Sequence, residues 1–186
     1  MGCRLRDPSR RKGSLIAAGI TERAAAPAIS ISSMLRTDTA SRLIATPPER
    51  VYAAFIDPDA LVAWLPPTGM SGRVERFDAR PGGSYRMVLT YTDASTTRGK
   101  ATADSDIVEA RYVDLVPGVR VVQEVDFVSD DPRNAGTMTM TWEVARVEAG
   151  TRVEVRAENV PDGISAEDHA AGLTSSLTNL ANYLER

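Results

Sequence analysis

The sequence predicts an α+β fold in which a curved sheet grips a C-terminal helix around a pocket. Three observations point there. Ser165 to Arg186 reads as one amphipathic helix, a long run of alternating strands precedes it, and a short helical pair from Pro48 to Leu65 precedes the strands.

Length and composition fit this reading. At 186 residues and 42% hydrophobic content the chain suits one globular domain, large enough to bury roughly 70% of its unfolded surface. No apolar run approaches the roughly 20 residues that cross a bilayer, so membrane insertion is not expected. The single cysteine, Cys3, can form no internal disulfide, which suits a reducing cytoplasm. Charge is unevenly spread. Residues 1–36 hold seven basic and two acidic side chains, whereas Thr37 onward holds 15 basic and 23 acidic ones. An acidic body offers no electrostatic footprint for nucleic acid.

Residues 1–35 mix Arg, Ser, Ala and Gly without a sustained period and are read as a disordered or non-native extension. Translation from Met34, just before the first strand, is the favoured explanation. The Arg-rich, acid-poor character also resembles a transit peptide, and the Arg10-Arg11-Lys12 cluster leaves a nucleic-acid arm as a third reading. Arg6 stands where a myristoylation signal wants Ser or Thr. The folded domain is taken as residues 36–186.

Within that domain, Thr37 to Thr46 is sparse in apolar residues and reads as an edge strand ended by Pro47-Pro48. Pro48 suits a first helical turn, with Val51, Ala54 and Phe55 at helical spacing behind it. Asp57-Pro58 breaks that helix, and a second runs from Asp59 to Trp64. Past Gly69 the period becomes two. Val74 and Phe77 precede a hairpin turn at Arg80-Pro81-Gly82-Gly83, and Tyr85, Met87, Leu89 and Tyr91 share the next face. A strand over about Lys100 to Val116 ends at Pro117-Gly118. Val121, Gln123, Val125 and Phe127 then face one way, and Val122, Glu124 and Asp126 the other. After a loop at Asp130 to Asn134, Met138, Met140, Trp142 and Val144 share a face. Val153, Val155 and Ala157 do so in the last strand. Such alternation gives one buried and one wet face, as in antiparallel sheets. Ser165 is a good N-cap, with Asp168 completing a near capping box. The stripe His169, Leu173, Leu177, Leu180, Leu184 lies along one side of the helix and must face the sheet. Gly172 and Ser176 beside it either admit close backbone approach or leave space.

The run Pro47-Pro48-Glu49-Arg50-Val51-Tyr52, continuing to Asp57-Pro58 and Trp64, resembles the opening of the START-like (SRPBCC) superfamily, in its branch named for activators of a heat-shock ATPase. Further matches are Phe77 to Gly83, Gly136 to Trp142 and Glu167 to Leu173, and the resemblance covers about Arg36 to Arg186. It implies a helix-grip fold, with a seven-stranded antiparallel sheet wrapping the C-terminal helix, two short helices closing one end, and an apolar cavity between sheet and helix. Relatives bind lipids, sterols, plant hormones or polyketides, and some cyclise or hydrolyse them. The eukaryotic namesake assists a chaperone through a larger protein, and its additional domain has no counterpart here.

His169, the one histidine, is the candidate general acid or base. Its place in the first helical turn puts it near the mouth of the expected cavity, where the helix dipole favours a neutral ring. The competing reading is a helix-end histidine packed against the last loop and bonded to a backbone carbonyl. Gln123 is expected inward, where its amide needs a ligand group, a water or a threonine as partner. Trp64, Phe77, Tyr85, Met87, Gln123, Met138, Met140, Trp142, His169 and Leu173 form the expected ligand-binding lining. Aromatic and methionine side chains suit apolar ligands of variable shape, and an ordinary core equally. The strand carboxylates Asp104, Asp106, Glu109, Glu124 and Asp126 read as solvated surface rather than a catalytic pair. One His and one Cys make no usual zinc site, and neither a phosphate-cradling glycine loop nor a G-x-S-x-G elbow occurs, so no metal or cofactor is expected.

The leading expectation is a cytoplasmic, cofactor-free domain that binds an apolar small molecule between sheet and helix. The second is a cyclase or hydrolase-like enzyme using His169, with Gln123 or Tyr85 orienting substrate. A third is a co-chaperone-type interaction module, which needs an apolar outer face where Thr, Arg and Glu stand instead. Homodimerisation is left open.

Overall fold

The computed structural model describes residues 36–92, 105–127 and 131–186. The expected extension at residues 1–35, the beginning of the strand placed from Lys100, Asp104, and Asp130 of the predicted loop lie outside them. Among the described residues the chain runs β1 (Thr37–Ile44), α1 (Pro48–Ala53), α2 (Pro58–Trp64), β2 (Met70–Phe77), β3 (Ser84–Tyr91), β4 (Ser105–Val116), β5 (Arg120–Phe127), β6 (Gly136–Val147), β7 (Gly150–Glu158) and α3 (Ala166–Leu184). A 3-10 turn, Pro132–Asn134, stands before β6. The strands form one antiparallel sheet in the order β1-β7-β6-β5-β4-β3-β2. This is the helix-grip arrangement.

That order dictates the path of the rest. β2 to β7 form a run of hairpins, whereas β1 and β2 occupy opposite edges. The segment between them, α1 and α2, must therefore cross one end of the sheet and closes it. Asp57, expected only to break the first helix, also caps the second by accepting from Asp59 N and Ala60 N at 2.9 and 3.3 Å. Trp64 Nε1 donates to Ala54 O at 2.9 Å, locking the two helices together.

Two bulges explain side chains that simple alternation misplaces. In β2 the register shifts between Val74 and Arg76, so Val74 and Phe77, three apart, pair with Met87 and Tyr85 on the inner face. In β4 it shifts between Tyr112 and Asp114, so Tyr112 and Leu115 both face inward, opposite Gln123 and Val121. The turn before β3 needs its glycines. Gly82 has φ +81°, and a Cβ on Gly83 would sit 2.2 Å from Asp78 O. The same turn hydrogen-bonds Tyr112, through Gly82 N to Tyr112 O at 2.7 Å and Tyr112 N to Gly83 O at 2.8 Å.

Helix α3 starts at Ser165, whose Oγ accepts from Asp168 N at 3.0 Å and donates to Asp168 Oδ2 at 2.7 Å. Leu173, Leu177, Leu180, Ala181 and Leu184 are buried against the inner face. Gly172 meets open space, so it serves no close approach. The helix runs alongside β1 and is laced to it at both ends and in the middle. His169 meets Asp38, Arg42 donates to Thr178, and Ala45 N donates to Glu185. The seven extended steps from Asp38 to Ala45 span about 24 Å, and the 16 helical steps from His169 to Glu185 span about the same. The lengths match, which is why the lacing holds along the whole helix.

Candidate binding face

Cross-strand partners share a face, so the register lists the side chains beneath α3. One row runs Tyr112, Gln123, Met140, Ala157, Asp38 across β4, β5, β6, β7 and β1. A second runs Phe77, Tyr85, Ala110, Val125, Met138, and a third Leu115, Val121, Trp142, Val155, Ala40. All of the inward strand positions expected from the sequence fall on this face.

Its two ends differ. Toward α1 and α2 the face is sealed: Phe55, Trp64 and Trp142 form an aromatic plug with ring centroids 5.1 to 5.8 Å apart. All three are buried, as are Val121, Val153 and Val155. Trp64 and Trp142 thus act as core. Trp142 Nε1 is buried there without a hydrogen-bond partner. Away from the plug, Val108, Val125, Phe127 and Met140 are only half-buried, although Val108, Val125 and Met140 pair with buried inward residues. Met138 belongs to a satellite cluster with Ala157 and Val160, against which Phe127, Met140 and Ile164 pack under the loop before α3. Leu173 is buried in the main core.

Gln123 is buried on the inner face, directly opposite Tyr112 in the register. Tyr112 Oη donates to Phe55 O at 2.7 Å, tying the sheet to the end of α1. Burial pushes the Tyr85 and Tyr112 phenols above the ordinary tyrosine value, so they are neutral. Tyr112 was not anticipated as a site residue, because the bulge after it hides its parity.

His169 lies at the other end of the same row. Its Nδ1 is 2.7 Å from Asp38 Oδ2, with the two side chains 12% and 17% exposed. The backbone-carbonyl partner considered from the sequence is replaced by this carboxylate. Arg36 bonds Asp38 through both Nε and Nη2 and reaches Ile164 O, so one arginine fixes the carboxylate and the loop before α3. Arg36 also holds the Asp38 carboxyl below its usual range, ahead of the smaller contribution from His169. Three interstrand steps separate Asp38 from Gln123, about 14 Å. Hence His169 and Gln123 share a face but not a common contact point.

The outer face is neutralised by cross-strand ion pairs. Arg86 bridges Glu75 and Glu109 at 3.0 Å each, Arg76 adds Glu109, and Arg111 meets Glu124. Asp126 accepts from Thr137 at 2.6 Å. These carboxylates are surface groups, as their alternation suggests; Asp106 lies in β4, at its beginning.

Two surface clefts flank the sheet. One of about 220 Å³ lies among Pro66, Gly69, Met70, Asn179 and Tyr183, and one of about 450 Å³ lies between α2 and β2. Of the expected lining, Phe77 alone borders either of these two. Among the described residues no cluster of His, Cys, Asp and Glu suits a metal ion, and no helix is long and apolar enough to cross a membrane.

A family model described as Activator of Hsp90 ATPase homolog 1-like protein matches residues 45–185. The chain belongs to this family. A crystal structure of a protein from Chromobacterium violaceum is 36% identical, with TM-score 0.70, over 81% of this chain and 97% of that one. The solution structure of an AHSA1-like protein from Aeromonas hydrophila has TM-score 0.64 at 16% identity, covering 81% and 92% of the two chains. A Rhodobacter sphaeroides protein has TM-score 0.64 at 21% identity, covering 80% and 91%. The last two likenesses concern the fold alone. None of the curated proteins compared matches the chain significantly.

Proposed function

We propose that this family member is a cytoplasmic binding protein for an apolar small molecule held between the sheet and α3. The supporting observation is the contrast along the inner face. The end under α1 and α2 is packed shut, whereas Val108, Val125, Phe127 and Met140 are half-buried and apolar on the side that α3 covers. These residues mark an entrance between sheet and helix. Met138 and Met140 pack together beside it, and unbranched thioether side chains can move aside for a guest at little cost. Membership of the family and the helix-grip fold agree with this reading without specifying the ligand.

The test is a titration of the full chain, labelled at its methionine methyl carbons, with cholesterol, dodecanol and flavone, followed by NMR. A ligand under α3 shifts Met140 and Met87 and leaves Met70, which borders the smaller surface cleft, in place. Shifts at Met70 alone, or at none of the methionines with any of the three, contradict the proposal.

A second reading is favoured by the His169–Asp38 pair. A carboxylate that binds Nδ1 fixes the ring's orientation and leaves Nε2 to exchange a proton with a guest. Replacement of His169 by Ala then abolishes turnover while ligand affinity stays nearly unchanged. An unchanged rate rejects it.

A further inference from the structure

We infer that β2, the open edge of the sheet, pairs antiparallel with the β2 of a second copy of this chain about a two-fold axis at Val74. The two seven-stranded sheets join there into one.

The sheet's two edges are finished differently. β1 is laced to α3 at three places, whereas among the described residues β2 pairs with β3 alone. Gly69 O accepts from Thr92 N at 2.9 Å, so the bonded positions toward β3 continue at Ser71 and Arg73. The backbone groups of Met70, Gly72 and Val74 therefore point away from β3. Met70 N is taken by Pro67 O at 3.0 Å, which leaves Gly72 and Val74 to present N–H and C=O groups to the edge. The cleft of about 450 Å³ lies beside them, lined by residues 72–77 and by Pro58, Asp59 and Val62 of α2. Unpaired backbone next to half-buried Val74 and Phe77 is a surface that an added strand completes.

The charges on the edge select which strand. Arg73 and Glu75 flank Val74 on the outer face, where Glu75 also meets Arg86. A strand that suits them carries an acid opposite Arg73 and a base opposite Glu75. Run antiparallel, the segment Arg73-Val74-Glu75 is that strand. With Val74 exchanging both backbone bonds with its copy, Arg73 falls opposite the partner's Glu75, and Glu75 opposite the partner's Arg73. The Arg73 side chain is 69% exposed and has room to turn toward the new neighbour. The register shift between Val74 and Arg76 keeps the ladder short, so charge rather than ladder length chooses the partner. A two-fold axis closes the assembly, and the edge is used up on both copies.

Charge exchange tests this. In sedimentation velocity the full chain is expected to pass from monomer to dimer over a concentration series reaching about 1 mM. Arg73→Glu sets two acidic pairs across the axis and Glu75→Arg two basic ones, so each variant alone dimerises at least about tenfold more weakly. Mixed in equal amounts, the two variants restore both opposite-charge pairs and form a heterodimer. Both positions are exposed, and circular dichroism of each variant confirms its fold independently. The Val74 amide should gain protection from exchange in the wild type as concentration rises. A wild type that is monomeric throughout overturns the inference and leaves the edge to a strand of another protein. A dimer that neither reversal weakens, or folded variants that do not pair on mixing, place the contact elsewhere and overturn it equally.

Discussion

Asp38 and His169, 131 positions apart in sequence, meet at 2.7 Å and join the outermost strand of the sheet to the first turn of the helix it grips. Because Asp38 lies in the same cross-strand row as Gln123, this contact is also one wall of the candidate binding face. It has a measurable signature in pH. Arg36 first, and His169 after it, lower the folded-state pKa of Asp38, so the stabilisation is present above the unfolded carboxylate value of about 3.9. It is lost as pH falls through the lower folded value. Asp38→Asn should therefore be less stable than wild type at pH 7, with the gap narrowing on acidification. Denaturant titration at several pH values checks this; a constant gap contradicts it.

Tyr112→Phe removes the hydroxyl that donates to Phe55 O at 2.7 Å and leaves that buried carbonyl unpaired. A loss of roughly 1–3 kcal/mol is expected in equilibrium unfolding. Amide exchange should rise in α1 and α2, which this bond helps to hold across the end of the sheet. Unchanged stability would mean that the helices are held by their aromatic contacts alone.

Gly83→Ala tests the hairpin. The added Cβ meets Asp78 O at 2.2 Å, so the turn must shift and carry with it the backbone bonds to Tyr112. Destabilisation of roughly 1–3 kcal/mol is expected, with chemical-shift changes at Tyr112 as well as in the turn. Ala tolerated at wild-type stability would show that the turn can relax independently of β4.

Met140→Trp tests the proposed entrance. Met140 is half-buried, so the larger ring can be accommodated at the surface while it obstructs any passage there. Stability should change little and uptake of apolar molecules should fall at least tenfold, as read by the methyl titration. Retained uptake would place the entrance elsewhere.

Much of this fold was legible because its strands are regular where they bear load. Val153, Val155 and Ala157 alternate without interruption and all three are buried, and the leucine stripe of α3 packs as its spacing requires. What escaped detection lies where period fails. Tyr112 precedes a bulge, so its inward direction cannot be had by counting from Val116. Asp38 sits in a strand of Thr, Ser, Arg and Ala, where a single inward carboxylate breaks no pattern. Its partner His169 was visible, but a contact spanning 131 positions leaves no local trace. Gln123 could be placed inward because its neighbours Val121 and Val125 alternate strictly around it. The identity of its cross-strand neighbours, Tyr112 and Met140, required the register of three strands. Trp64 and Trp142 show the limit of composition: aromatic residues suit both a pocket and a plug, and only the geometry of Phe55 between them decides.

The most direct measurement is native mass spectrometry of the freshly purified full chain, followed by denaturing extraction and identification of what is released. The account predicts one largely apolar molecule per chain, absent from Met140→Trp purified in parallel. Wild-type protein that emerges empty and takes up none of cholesterol, dodecanol or flavone would contradict it.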